Sequence, residues 1–206
     1  MSSPGDTART YYSEKLKRHG ATARGVDWHS TASQYLRFVQ LLKVCDFSRP
    51  FSINDFGCGY GALLDYFEYR HREAAILYHG IDISPPMIEA AKLRWKHNVQ
   101  AKFSTDSACR EIADYSLASG VFNVKLNWPV EEWEPYVGSI LSNLRANSRR
   151  GFAVNFMLPL EEPPEQPLLY RTRPDRWTDC LNALGCAVER ISDYGLREFT
   201  LLARTI

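Results

Sequence analysis

Ile53-Asn54-Asp55-Phe56-Gly57-Cys58-Gly59-Tyr60-Gly61 is the stretch that decides the fold of this chain of 206 residues. A short run of strand-forming residues, 51–56, leads directly into the glycines, and 62–70 then has the composition of a helix. Glycine has no Cβ, so the backbone can turn sharply and a ligand can approach the main chain closely. The stretch therefore predicts a strand, a tight ligand-binding turn and a helix.

Strands and helices continue to alternate after this turn. Further strands are expected at 75–81, 99–103, 115–122 and 151–158, and helices at 85–95, 107–112, 131–144 and 175–184. Such alternation predicts a mostly parallel sheet with helices on both faces. The last strands, 187–191 and 198–203, flank Gly195 as in an antiparallel pair. The predicted fold is α/β: a doubly wound, mostly parallel seven-stranded sheet with an antiparallel C-terminal hairpin.

Helical patterns also precede the first strand. Residues 7–19 suit a helix that ends at Gly20, and a second helix is expected from Ser30 to about Val44. The length of 206 residues suits one sizeable core better than two domains. We therefore predict a single domain, 1–206, with N-terminal lid helices in 1–48 and a Rossmann-like core in 49–206.

The composition is that of an ordinary globular protein, with 45% hydrophobic and 24% charged residues. The net charge of +1 provides no global field toward nucleic acids or anionic membranes, so neither is an expected partner. The start of the chain has no secretion-signal pattern, and no stretch is apolar for long enough to span a membrane. A cytoplasmic location is expected.

Metal binding has little support in the sequence. The five cysteines include no C-x-x-C pair, and the five histidines have no H-E-x-x-H spacing. We expect reduced thiols and no metal ion.

The glycine turn fits two kinds of ligand. Gly57, Gly59 and Ala62 satisfy the dinucleotide pattern G-x-G-x-x-G/A, which places a pyrophosphate at a helix N-terminus. Asp55, however, puts a carboxylate beside the turn, where it suits a cationic ligand better than a pyrophosphate. Gly61 opens the first turn of the helix instead of packing it tightly. Together, Asp55 and Gly61 favour a cationic ligand.

Polar residues follow the next strands as well. Asp82 ends the second strand, about where an acid accepts hydrogen bonds from ribose hydroxyls, although it also suits a helix cap. Thr105-Asp106-Ser107 follows the third strand and is either an adenine site or a helix cap. The segment Ser119–Asn123 follows the fourth strand. It places small residues, including Gly120, and then the Asn123 amide near the expected reaction centre.

Together these motifs, spanning about residues 50 to 204, resemble the class I, seven-strand S-adenosylmethionine-dependent methyltransferases. The resemblance implies S-adenosylmethionine as cofactor and S-adenosylhomocysteine as product. Nucleobase-amino methyltransferases carry an Asn/Asp-Pro-Pro-aromatic motif after the fourth strand, which Ser119–Asn123 does not match. The implied cofactor-binding residues are Asp55, Gly57, Cys58, Gly59, Gly61, Asp82, Ile83, Thr105, Asp106, Ser107 and Gly120.

The acceptor side is less sharply marked. Asn123 and His29 are candidate catalytic groups, the first to orient a nucleophile and the second as a base, although either also suits a water-facing role. The irregular segment 159–174 is a candidate substrate cover. Candidate substrate contacts, which equally suit ordinary packing or solvent exposure, are Tyr11, Tyr12, Trp28, Lys125 and Tyr170.

The expected function is methyl transfer to a small-molecule acceptor. Two alternatives stand beside it. A non-catalytic protein would bind S-adenosylmethionine without turnover, because a fold does not guarantee chemistry. A nicotinamide-dependent oxidoreductase would use the G-x-G-x-x-A pattern, but Asp55 and the short chain oppose it.

Overall fold

The structure is a computed structural model that describes residues 3–162 and 168–206. The centre of the predicted cover segment, 163–167, lies outside the described residues. The α-helices are α1 (Pro4–His19), α2 (Thr31–Leu41), α3 (Ala62–Arg70), α4 (Pro85–Arg94), α5 (Val130–Ala146) and α6 (Pro174–Ala183). The strands are β1 (Phe51–Phe56), β2 (Ile76–Asp82), β3 (Ala101–Thr105), β4 (Ala113–Ala118), β5 (Ser148–Met157), β6 (Cys186–Ile191) and β7 (Glu198–Thr205).

The seven strands form one sheet in the order β3-β2-β1-β4-β5-β7-β6. The first five strands pair in parallel, and β7 pairs antiparallel with both β5 and β6. The order reverses beside β1, so the connections after β1 and β4 diverge to either face and leave a crevice there. This arrangement confirms the predicted fold class.

Hydrophobic clusters cover both faces of the sheet. Successive residues of a strand point to opposite faces, and along β5 Phe152 and Val154 join one cluster while Ala153 joins the other. The first cluster packs under α5 and α6, and the second packs under α2 and α3. Burial on both faces explains why consecutive residues of β5, from Phe152 to Val154, are all apolar.

Several predicted elements differ from the structure, and for three of them the local reason is clear. Helix α1 begins at Pro4, not at Thr7, because Ser3 and Asp6 form a reciprocal capping box. Strand β4 ends at Ala118, not at Phe122, since Gly120 takes a left-handed conformation with φ of 71°. The helix expected at 107–112 does not form, because the Asn143 side chain hydrogen-bonds both the N–H and the C=O of Cys109.

The two N-terminal helices, α1 and α2, pack against different parts of the structure. Helix α2 packs on the sheet, where Phe38 and Leu41 join the second cluster. Helix α1 instead lies near the carboxyl end of β2, where Ser13 and Ser84 share a hydrogen bond of 2.8 Å. Only α1 and the turn after it are therefore placed like a lid.

Within the described ranges, no helix combines the length and apolar character needed to cross a membrane.

Candidate functional site

A cavity of about 100 Å³ lies at the carboxyl ends of β1, β2 and β4, where the strand order reverses. The loops after these strands form its floor, and α1 and the turn at Ala23–Val26 form its cover. The sequence-predicted residues that line it are Tyr12, Trp28, Asp55, Gly57, Cys58, Gly59, Asp82, Ile83, Ser107 and Gly120.

Asp82 joins two of the floor loops. Its carboxylate accepts the Gly59 N–H at 2.9 Å and the Ser84 N–H at 2.8 Å. Burial raises the pKa of Asp82, and the backbone N–H groups of Ser84 and Gly59 act in the opposite direction. The Ser84 side chain accepts the Met87 N–H and so caps α4. Asp82 is thus free of the capping role and faces the cavity.

Asp55 is the most deeply buried charged group of the lining, with 4% of its surface exposed. The Tyr78 hydroxyl donates a hydrogen bond of 2.6 Å to its carboxylate. Burial raises the pKa of Asp55 to about 7; the Tyr78 bond opposes this, and the negative charge of Asp82 adds to it. A positive charge in the cavity would favour the ionised form of this carboxyl.

Trp28 closes the cavity over the loop that follows β4. A Cβ at Gly120 would lie 2.3 Å from the Trp28 ring, so only glycine admits this contact. The guanidinium carbon of Arg37 lies 3.9 Å from the centroid of the same ring, on its face. The indole is therefore held between the loop and a cation.

A buried polar chain links this cover to the sheet. The Gly120 N–H donates to Asn155 Oδ1 at 2.7 Å, and Asn155 Nδ2 donates to Glu198 Oε2 at 2.8 Å. Arg37 Nε donates to the same Glu198 oxygen at 2.8 Å, with a second guanidinium contact to Oε1. Sequence reasoning missed these three side chains, although an Asn or a Glu in an apolar strand is a usable signal of a buried polar contact.

The remaining cofactor candidates lie beside the cavity. Trp95 Nε1 donates to the Gly61 carbonyl at 3.1 Å, so Gly61 makes room for a packed indole. Thr105 and Asp106 line an adjoining depression that shares Ile83, Ser107 and Tyr136 with the cavity. The Asp106 carboxylate accepts hydrogen bonds from Arg110 and from the Ala108 N–H.

The candidate catalytic residues lie outside the cavity lining. Asn123 is 5% exposed, and its Oδ1 has no hydrogen-bond partner among the described residues. His29 is exposed beside Trp28. Neither residue is among those that surround the cavity. Their catalytic roles stay predictions.

Three candidate substrate contacts are engaged elsewhere. Lys125 Nζ donates to the Trp128 carbonyl at 3.0 Å. The Tyr170 hydroxyl donates to Glu134 at 2.8 Å, deep in the first cluster, and burial raises its pKa to about 12. The Tyr11 hydroxyl donates to Asp27 at 2.7 Å and braces α1 against the following turn. Tyr12 and Trp28 alone of this group reach the cavity.

Sequence reasoning missed more than half of the lining. Among the described lining residues Asp55 and Asp82 are the acids, and no Lys, Arg or His side chain is present. No group of three or more potential metal ligands occurs in residues 3–162 and 168–206. Ala62, Ser119 and Val121 lie within the motifs noted in the sequence but were not named as site residues; the other lining residues not named are Ala8, Val26, Gln34, Phe38, Phe56, Tyr60, Met87, Trp133 and Tyr136.

The chain is similar to known methyltransferases in sequence. A family model described as a methyltransferase domain matches residues 53–147. A provisionally named methyltransferase of Mycobacterium tuberculosis is 41% identical over 165 residues, which are 79% of this chain and 98% of that protein. The chain therefore belongs to the methyltransferase family, as the resemblance in its motifs predicted.

Solved structures agree on the fold. The magnesium protoporphyrin IX methyltransferase of Synechocystis PCC 6803, with bound SAH, superimposes with a TM-score of 0.70 at 16% identity, over 98% of this chain and 100% of that one. The mitomycin 7-O-methyltransferase gives a TM-score of 0.67 at 13% identity, over 99% of this chain and 69% of that one. At such low identities the likeness shows the fold alone.

Proposed function

We propose that this chain transfers the methyl group of S-adenosylmethionine to a small-molecule acceptor and releases S-adenosylhomocysteine. The observation that carries the proposal is the covered cavity in which Asp55, the glycine turn and Asp82 meet. Membership of the methyltransferase family supports it. The single-domain organisation predicted from the sequence is part of the same proposal.

The charges of the lining fit the cofactor. S-adenosylmethionine carries a sulfonium, an ammonium and a carboxylate group and is a net cation, and the described lining combines two carboxyl groups with no basic side chain. The same lining is poorly suited to NAD, because the Asp55 carboxylate lies beside the glycine turn where a pyrophosphate would bind. Asp82 keeps carboxylate lone pairs for ribose hydroxyls after accepting two backbone N–H groups.

The cofactor supplies an already activated methyl group, so the chain mainly has to orient the reactants and exclude water. In the proposed arrangement Gly57 and Gly59 contact the amino-acid part, Asp82 the ribose, and Ile83 with 105–107 the adenine. Tyr12 and Trp28 cover the reacting groups. A cover of two aromatic side chains suits a small acceptor better than a macromolecule.

Calorimetric titration with S-adenosylmethionine and with NAD⁺ tests the cofactor assignment. We expect saturable binding of S-adenosylmethionine alone, weakened about tenfold or more in Asp82→Asn, since bonds to charged groups contribute about 1.5–3 kcal/mol. Asp65→Asn is the matched control, because Asp65 pairs with Arg94 on the surface. Binding of NAD⁺ alone would overturn the proposal.

Turnover needs a separate measurement. Transfer of labelled methyl from S-adenosylmethionine into fractionated small-molecule extracts is expected with the intact protein and lost in Asp82→Asn. Tight binding with no transfer to any fraction would instead favour a non-catalytic binding protein.

A further inference from the structure

Two polar groups in the cavity wall are buried without a hydrogen-bond partner among the described residues. They are the hydroxyl oxygen of Ser119 and the indole nitrogen of Trp133. Both residues line the cavity, and Trp133 is 1% exposed. A buried donor or acceptor left unpaired costs about 1–3 kcal/mol, so such groups call for an explanation.

Unpaired buried atoms also occur away from the cavity, on His79, Asn123, Arg145 and Arg150, but most polar groups of the same types near the cavity are paired. Three other indole nitrogens donate to protein oxygens: Trp95 to Gly61, Trp128 to Thr7 and Trp177 to Tyr170, at 3.1–3.2 Å. Next to Ser119, the Gly120 N–H is satisfied by Asn155. Of the six buried side-chain atoms without a partner among the described residues, these two are the ones whose residues line the cavity.

Ser119 lies at the end of the cavity that holds Asp55. Strands β1 and β4 are parallel with Leu117 opposite Asp55, so two residues further along Ser119 comes beside Gly57. Val121, on the same loop, would lie 2.5 Å from a Cβ at Gly57. Ser119 is thus placed beside the glycine turn.

Trp133 lies toward the other end. Its ring centroid is 5.4 Å from that of Tyr136, one turn further along α5. Tyr136 lines both the cavity and the adjoining depression that contains Thr105 and Asp106. An indole N–H only donates, so the ligand has to offer an acceptor atom there.

We infer that Ser119 and Trp133 are ligand-binding residues: the Ser119 hydroxyl bonds the amino-acid end of the cofactor, and the Trp133 N–H donates to a ring nitrogen or hydroxyl oxygen of its nucleoside. The inference rests on the proposed function. It accounts for both unpaired groups with one ligand whose chemistry differs between its two ends.

Binding of S-adenosylhomocysteine and of 5′-methylthioadenosine, which lacks the amino-acid part, separates the two roles. Ser119→Ala should weaken the first ligand about 3- to 10-fold and leave the second unchanged. It should not lower Tm, because no protein hydrogen bond is lost. Trp133→Phe should weaken both ligands by a similar factor of about 3–10.

Trp177→Phe is the control for Trp133→Phe, since Trp177 is buried in the same cluster but does not line the cavity. It should lower Tm and leave both affinities unchanged. If the unaltered protein binds neither ligand, the proposed function and this inference both fail. If it binds them and the two cavity variants bind equally well, the inference alone is overturned. Equal losses for both ligands in Ser119→Ala would refute the placement of Ser119.

Discussion

Asp55 couples the stability of the protein to pH. Burial raises the pKa of this carboxyl to about 7 from an ordinary value of 3.8. The folded state therefore holds a proton that the unfolded chain loses at lower pH. The resulting stability is fully present below about pH 4 and is lost as the pH rises through 7.

Asp55→Asn should remove this dependence. Between pH 5 and pH 8 the unaltered protein is expected to lose about 2–3 kcal/mol of unfolding free energy more than the variant, since one pKa unit corresponds to about 1.4 kcal/mol. Denaturant unfolding at both pH values measures the difference. Asp65→Asn, at a partly exposed ion pair, should keep the slope of the unaltered protein. Parallel slopes in Asp55→Asn would contradict the raised pKa.

The loop after β4 and the turn before α2 depend on each other through Gly120 and Trp28. Gly120→Ala should be destabilising for two reasons: a left-handed residue with a Cβ costs about 1–2 kcal/mol, and the new methyl overlaps the Trp28 ring. We also expect S-adenosylhomocysteine to bind at least tenfold more weakly, because each 1.4 kcal/mol is a factor of ten and the displaced indole covers the cavity.

Gly195→Ala provides the matched comparison. Gly195 has φ of 82° and nothing within 4 Å of an added Cβ, so this variant has only the backbone cost. Denaturation and calorimetric titration of the two variants side by side separate backbone strain from the Trp28 contact. If both variants lose equal stability and keep their affinity for S-adenosylhomocysteine, the position of the Trp28 ring does not depend on Gly120.

The ion pair of Arg37 and Glu198 joins α2 to β7 across 161 residues of sequence. Both side chains are buried, so Glu198→Gln leaves a guanidinium without its counter-charge and should cost about 3–5 kcal/mol. Adding Arg37→Leu should recover much of this loss, because the amide oxygen introduced by Glu198→Gln can still accept a hydrogen bond from Asn155. Glu189→Gln, at the exposed pair with Arg204, should change unfolding by less than about 1 kcal/mol. If Glu198→Gln and Glu189→Gln lower the free energy of unfolding by similar amounts, the buried ion pair does not stabilise the fold as argued.

At the scale of the whole molecule, the sheet could be predicted because its signals are local. Strand composition, the glycine turn and the break at Gly195 each lie within a few residues, and right-handed crossovers then leave few topologies. The cavity wall could be predicted only where such a motif ends a strand, as at Asp55 and Asp82. Trp133 and Gln34 reach the cavity from helix faces whose orientation depends on packing between distant segments. Asn123 and Tyr170 were assigned from position along the chain, which does not specify where their side chains point.

The placement of α1 over the carboxyl ends of the strands leads to a prediction about the molecule as a whole. Few side-chain hydrogen bonds from α1 hold it down: Tyr11 and Lys15 to Asp27, Ser13 to Ser84, and Thr7 to Trp128. A ligand in the cavity adds contacts to Ala8 and Tyr12, so saturating S-adenosylhomocysteine should slow amide hydrogen exchange in 4–19 and 23–28. Strand β6, remote from the cavity on the far edge of the sheet, should change little and serves as the internal control. Binding with uniform protection, or with none in α1, would show that this helix is a fixed part of the core and not a cover that the ligand helps to close.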